Sequence, residues 1–356
     1  MPLTTTRRSV IAAALLSGLV TRRTGAQTLG KKGSDSPLAL LPALPGDPST
    51  ILTWADIAGY CKATGIEKPA SFDDATTETW IKVGQRIPLN DNLVFLNMNQ
   101  PWQDLIGFAP WDIDQVGIAF DPPAQLRIYQ GAFDPERVAR QVTTNKGFTS
   151  ASAEGFTILD NPSDDLDLTS DFDRISLGNL NHLAVSDSLV LASRSKSVRD
   201  AAIAVAGGDQ DAVARMPEFA DVAEAIGGEH GFILLNGSIL GPGYAGRDAG
   251  SLPGVIPPAR LFFGSIRVDG DDWRTAFAAD LGDPVAAADA IAVVEERIAT
   301  QSSVVARTPY TELLGDPDVE SVAGTGIVRV LVTEEHFDRR WMNVIFAGDL
   351  LFLATE

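Results

Sequence analysis

Cysteine is almost missing from this chain, since Cys61 is the only one. No disulfide can close within the chain, and its stability must come from packing. The spacing of Cys61 from Trp54 and Ala58 puts it on an apolar helix face, as a small buried hydrophobe; a thiol nucleophile would need a base beside it and partial exposure. Histidine is nearly as scarce. His182, His230 and His336 stand far apart, none at ligand spacing from another His or from Cys61, so no zinc site is expected. Basic residues are outnumbered, with 28 Lys and Arg against 47 Asp and Glu and a net charge of −19. A surface of that sign repels phosphate backbones and anionic headgroups, which argues against nucleic acid and lipid surfaces as partners.

Long hydrophobic runs are also lacking. The apolar stretch from Val10 to Val20 has 11 residues, short of the ~20 that cross a bilayer. Its surroundings explain it better: Arg7 and Arg8 precede it, and a short polar segment ending Thr24-Gly25-Ala26-Gln27 follows. A basic start, an apolar centre and small residues at a cut site are the layout of an export signal. The paired arginines resemble the twin-arginine type, which carries folded proteins across a membrane. Arg22 and Arg23, between the run and the cut, fit the same type, and no cysteine follows to receive a lipid. Four arginines leave with residues 1–27, taking the net charge from −19 to −23, and no stable membrane insertion is expected after cleavage.

The remaining chain is rich enough in apolar residues, at 45 %, to build a core of one large or two ordinary domains. Residues 28–50, with prolines at 37, 42, 45 and 48, read as a flexible linker. Ile51, Trp54, Ala55, Ala58 and Cys61 recur at helical spacing behind Ser49 or Thr50, and Gly65 marks a stop. A second helix over 73–84 and short turns from Trp102 to Gln115 complete a helical flank, 51–115. From Val116 the period becomes two, predicting strands at 116–120 and 126–133. Asp134-Pro135 then caps a helix; strands follow at 156–159, 183–185 and 189–192, helices at 196–206 and 217–226, and a strand at 231–240. After a Gly- and Pro-rich connector, 241–258, the plan recurs over 259–356: a hairpin at 260–268 and 273–281 turning on Asp269-Gly270, an Asp283-Pro284 helix to about Thr300, a strand at 327–332, a helix at 335–346 and a strand at 350–354. The fold class expected is α+β, two similar halves of antiparallel sheet covered by helices, a ferredoxin-like duplication behind a helical flank.

Phe133-Asp134-Pro135-Glu136-Arg137-Val138, Gly147-Phe148, Ser186 to Ser193 and Asp349 to Ala354 resemble phrases of exported bacterial proteins classed only as domains of unknown function. The resemblance spans most of 105–356. It implies fold and compartment, and brings no activity with it.

No catalytic signature emerges from the motifs. Gly241-Pro242-Gly243-Tyr244-Ala245-Gly246 matches a dinucleotide fingerprint in letters, but a proline removes a donor and Asp248, Gly250 and Pro253 prevent the helix that would hold pyrophosphate. Tyr244 and Arg247 could instead line a pocket between the halves. Ser193-Arg194-Ser195-Lys196 matches the Ser-x-x-Lys of penicillin-interacting enzymes without its companion motifs, so Ser193 or Ser195 reads as a helix cap. Asp160, Asp164, Asp165, Asp167, Asp171 and Asp173 crowd one loop without the glycine and glutamate of a calcium loop. Of six tryptophans, Trp102 and Trp111 are the binding candidates, because they stand in a Pro- and Asp-rich loop region. No metal or cofactor is called for. The function expected is an exported binding or assembly protein of the cell envelope, with an unknown protein or small molecule as partner. An exported hydrolase with an unrecognised carboxylate or serine site is the first alternative, a carrier of an apolar molecule the second.

Overall fold

The computed structural model describes residues 51–72, 77–80, 100–121, 124–163, 165–206, 230–241, 252–269, 272–334 and 349–356. Their strands form one 12-stranded sheet in which every neighbouring pair is antiparallel, in the order β11-β12-β10-β9-β8-β1-β2-β3-β7-β6-β5-β4. These are β1 (Ile51–Asp56), β2 (Ile113–Asp121), β3 (Ala124–Gly131), β4 (Thr149–Ala153), β5 (Phe156–Asp160), β6 (His182–Val185), β7 (Leu189–Ser193), β8 (Gly231–Asn236), β9 (Leu261–Asp269), β10 (Asp272–Asp280), β11 (Asp318–Ser321) and β12 (Ile327–Glu334). The helices are α1 (Ile57–Thr64), α2 (Gln100–Ile106), α3 (Pro135–Lys146), α4 (Asp171–Ser176), α5 (Lys196–Ala206), α6 (Pro284–Thr300) and α7 (Tyr310–Leu314).

Because side chains alternate across a pleated sheet, the register sorts residues onto two faces. Ser152, Thr157, Val185, Val190, Tyr129, Val116 and Ala55 stand in one row from β4 to β1, and the row continues through Gly231, Ile266, Thr275 and Val332. Helices bury this face in two clusters. In the first, α1, α2, α3 and α4 bring Tyr60, Trp102, Val138 and Phe172 onto Val116, Tyr129 and Val190; in the second, α6 and α7 bring Val294 and Tyr310 onto Ile233, Phe277 and Val330. Tyr60 of α1 also meets Trp273 of β10, ring centroids 5.5 Å apart, so the first cluster reaches across the middle of the sheet. On the opposite face α5 packs on β3, β6 and β7.

Both Asp-Pro signals open helices as the sequence predicts. Asp134 accepts from Glu136 N and Arg137 N at 3.1 and 3.0 Å, and Asp283 from Val285 N at 3.0 Å, with proline at the position whose N–H has no helical partner. From the centre outward one arm runs β1-β2-β3-β7-β6 and the other β8-β9-β10-β12-β11, with β5 and β4 added beyond the first. In both arms the hairpin precedes the Asp-Pro helix, and the arms share one sheet.

Several expectations are corrected. Ile51 to Asp56 is a strand, so the region 51–115 is no purely helical flank: its first element is the sheet's middle. Both faces of β1 are occupied, which erases the alternation that would mark a strand and leaves a run that imitates helical spacing. The helix behind it is capped by Asp56, whose Oδ1 accepts from Gly59 N at 2.9 Å, and ends at Gly65 as expected. The predicted closing strand is a 3-10 turn, Leu351–Leu353, and 231–240 divides into β8 and a 3-10 turn, Gly237–Leu240. The predicted helices at 217–226 and 335–346, the signal, the linker, most of the connector and most of 73–84 lie outside the described residues.

At the middle of the sheet Trp54 stacks on its register partner Phe232, centroids 6.5 Å apart and planes 6° from parallel. On its other side stands Gly117, where a Cβ would lie 3.3 Å from the indole, so glycine gives the ring its room. Trp54 is 2 % exposed. Replacing it by alanine empties the middle of the sheet, and Trp54→Ala is expected to cost ~3–5 kcal/mol, measured by urea unfolding; a loss under ~1 kcal/mol would refute this role.

Candidate functional site

Two places gather polar chemistry, and they differ in access. The first is a row across the face opposite the helical clusters, where the register aligns Asp160 of β5, His182 of β6 and Ser193 of β7. Asp160 Oδ1 lies 2.8 Å from His182 Nδ1 and 2.9 Å from Arg199 Nη1, and Oδ2 lies 3.1 Å from Lys196 Nζ. The α5 helix, starting at Lys196, points both cations back over the strands. Burial raises the Asp160 carboxyl, but hydrogen bonds from His182, Arg199 and Lys196 outweigh it and hold it down at about 2. Arg199, 1 % exposed, also donates to Leu183 O at 2.9 Å and, through Nε, to Asp200 at 2.8 Å, which supplies the partners a buried guanidinium requires.

The order Asp, His, Ser invites comparison with an acyl-transfer triad, in which the base must take the hydroxyl proton. Here Ser193 is fully buried and its Oγ donates to Gln125 O at 2.7 Å while accepting from Ser195 N at 3.0 Å. The hydroxyl thus ties β7 to the start of β3 and the turn into α5. Lys196 pairs with Asp160, so the Ser-x-x-Lys spacing does not join lysine to serine.

The second place is open. A groove of about 600 Å³ runs between the tip of the β4–β5 hairpin, the β6–β7 turn and the start of α3. Ser152, Thr157 and Val185, one register row, form its floor, with Phe156 beside them. Glu154 and Gly155 make the hairpin tip with φ of +50° and +79°, the left-handed values a two-residue hairpin demands, for which glycine is suited and glutamate is not. Glu154 and Asp187 stand exposed on the rim, and Asp134 and Glu136 flank Pro135 at the neighbouring helix start. No Lys or Arg lines the groove.

Sequence-singled residues fall elsewhere. Trp102 is fully buried in α2, edge-on to Phe108 at 5.9 Å, and Trp111 is 9 % exposed and tilted on Phe72 at 4.5 Å; both fill the first cluster and neither lines the groove. Tyr244 and Arg247 lie outside the described residues, as do Arg7 and Arg8. Cys61 is buried, and desolvation pushes its thiol up to about 12, with Lys68 lowering and Asp56 raising it less, far from nucleophilic use. The acidic loop folds on itself: Asp173, 1 % exposed, accepts from Lys146 Nζ at 2.5 Å and Asp167 N at 2.8 Å, while Asp167 accepts from Thr169. Among the described residues no three acidic, His or Cys groups are placed to hold a metal ion. The groove escaped sequence reading because Thr149-Ser150-Ala151-Ser152-Ala153 carries no apolar alternation.

Asp160 is ionised in the fold well below the ordinary carboxylate value of about 4. Its contribution is therefore complete above about pH 4 and is lost as pH falls towards about 2. Asp160→Asn is expected to flatten the fall of urea stability across that window; an unchanged pH dependence would show that another carboxylate governs acid unfolding. Ser193→Ala leaves Gln125 O and Ser195 N without their partner, and calorimetry should show a loss of ~1–3 kcal/mol.

No protein-family model and no curated protein matches the chain. The chain is similar in outline to crystal structures of TP0453. Crystal form I has 9 % identity and a TM-score of 0.41, covering 84 % of this chain and 93 % of that one. Form III has 10 % identity and a TM-score of 0.38 over 84 % and 94 %, and form IV 9 % and 0.39 over 86 % and 98 %.

Proposed function

We propose that this chain is an exported binding or assembly protein of the cell envelope, and that it works through the groove at the β4–β5 hairpin. Accessibility is the observation that carries the reading. The groove is concave and open, whereas the Asp160 carboxylate is taken up by His182, Lys196 and Arg199 and Asp349 is buried. Asp349, fully buried, accepts from Ser303 Oγ at 2.6 Å, Val304 N at 2.9 Å and Val305 N at 2.7 Å; such a carboxylate braces a loop and offers nothing to a substrate.

Export rests on the opening sequence, with Arg7 and Arg8 before a short apolar run. No helix among the described residues is long and apolar enough to cross a membrane, which accords with release after cleavage. The likeness in strand order between the two arms, with an Asp-Pro helix after each hairpin, supports duplication of one hairpin-and-helix unit.

A reporter active only outside the cytosol, fused after Gln27, is expected to be active, and changing both Arg7 and Arg8 to Lys to abolish that activity. A reporter that stays silent with both transport routes intact refutes export. Native mass spectrometry of the protein from its own envelope is expected to show a mass above that of the chain; a bare mass counts against binding.

A further inference from the structure

The sheet ends at β4, and that end is unusually bare. All five residues of Thr149–Ala153 are exposed, and β5 is their one strand neighbour among the described residues. Every second residue of an edge strand turns its N–H and C=O away from the sheet, ready to pair with another chain. Natural edges are commonly guarded by lysine, proline or a bulge. Here the strand reads Thr-Ser-Ala-Ser-Ala, without charge or proline, and its pairing with β5 runs without a shift of register.

The groove adjoins this edge. Its floor row, Ser152, Thr157 and Val185, is the end of the row that crosses the sheet. A strand added beside β4 would extend that row, setting every second side chain level with the groove. Small residues on β4, all of them exposed, leave space above the added backbone. Around it stand Glu154, Asp187, Asp134 and Glu136, in a chain of net charge −19.

We propose, resting on the binding function above, that β4 takes up an extended, basic peptide segment of a partner protein by strand addition, its backbone pairing with the edge and its cationic side chains meeting the acidic rim. A second copy of this chain fits less well. Each copy carries the chain's net charge of −19, and a five-residue strand paired with itself alone falls short of the ~1,200 Å² that stable interfaces bury.

The test uses the full exported chain and three 12-residue probes: a peptide alternating lysine with valine, its glutamate counterpart, and the lysine peptide with every second backbone nitrogen methylated. Titration is expected to show salt-sensitive binding of the first, at least tenfold weaker binding of the other two, and slowed hydrogen exchange of amides within 149–153. Changing Glu154 to Gln and Asp187 to Asn together should weaken the lysine peptide about three- to tenfold. Equal binding of the methylated peptide, or protection confined to another strand, overturns strand addition. So does dimerisation through β4 without peptide uptake. Failure of all three probes on a protein that leaves the envelope with bound mass also overturns strand addition while the binding reading stands; a bare mass is what removes that reading.

Discussion

The antiparallel pairing of β1 with β8 is the contact on which the architecture turns. Ile51 to Ala55 stand opposite Leu235 to Gly231, and without those bonds the two arms would be separate sheets, each with an unpaired inner edge. Backbone pairing alone gives little net stability in water. What secures the seam is burial on both sides: Trp54 against Phe232 on one face, and on the other Ala55, continuous with a cluster that draws in Ile266, Val268 and Trp273 from the far arm. The seam joins segments nearly 180 residues apart, so its loop-closure cost is met only when both arms have formed.

Further from the seam, polar side chains fix elements that packing alone would leave loose. Arg297, 1 % exposed, donates to Pro253 O at 2.7 Å, Gly254 O at 2.9 Å and Ala354 O at 2.5 Å. Burial lowers its pKa, and three carbonyl dipoles stand in for a carboxylate. Asp160 does the converse, one carboxylate gathering three cationic or titratable donors. Arg297 satisfies the rule that a buried charge must be paired by the protein and ties α6 to residues 253–254 and 354, while Asp160 joins β5 and β6 to α5.

What could be read in the sequence follows from how far each signal is local. Asp134-Pro135 and Asp283-Pro284 specify helix starts within one turn, and α6 spans 284–300 as predicted. The hairpin at Asp269-Gly270 was legible for the same reason. β1 imitates a helix in sequence because centrality in a sheet is a tertiary fact, and Ile-Leu-Thr-Trp-Ala carries no mark of it. Leu351-Phe352-Leu353 misled in the opposite way, since an apolar run says buried without saying strand. Of the candidate site, the strands at 156–159 and 183–185 and the helix start at Pro135 are legible, but β4 is not, because it carries only small residues on both faces, and the alignment of Ser152 with Thr157 and Val185 depends on register. Trp102 and Trp111 have loop-like surroundings in sequence, which the fold turns into core.

The two ends of the sheet are unlike. β11 carries Asp318 and Glu320, the latter paired with Arg329 of β12, so its outer margin is ionic where β4 is neutral. Copies receptive at both margins would add end to end without limit, whereas copies receptive at β4 alone would pair once and turn only their ionic β11 margins outward. The unlike charge of the two margins thereby limits amyloid-like propagation from copy to copy.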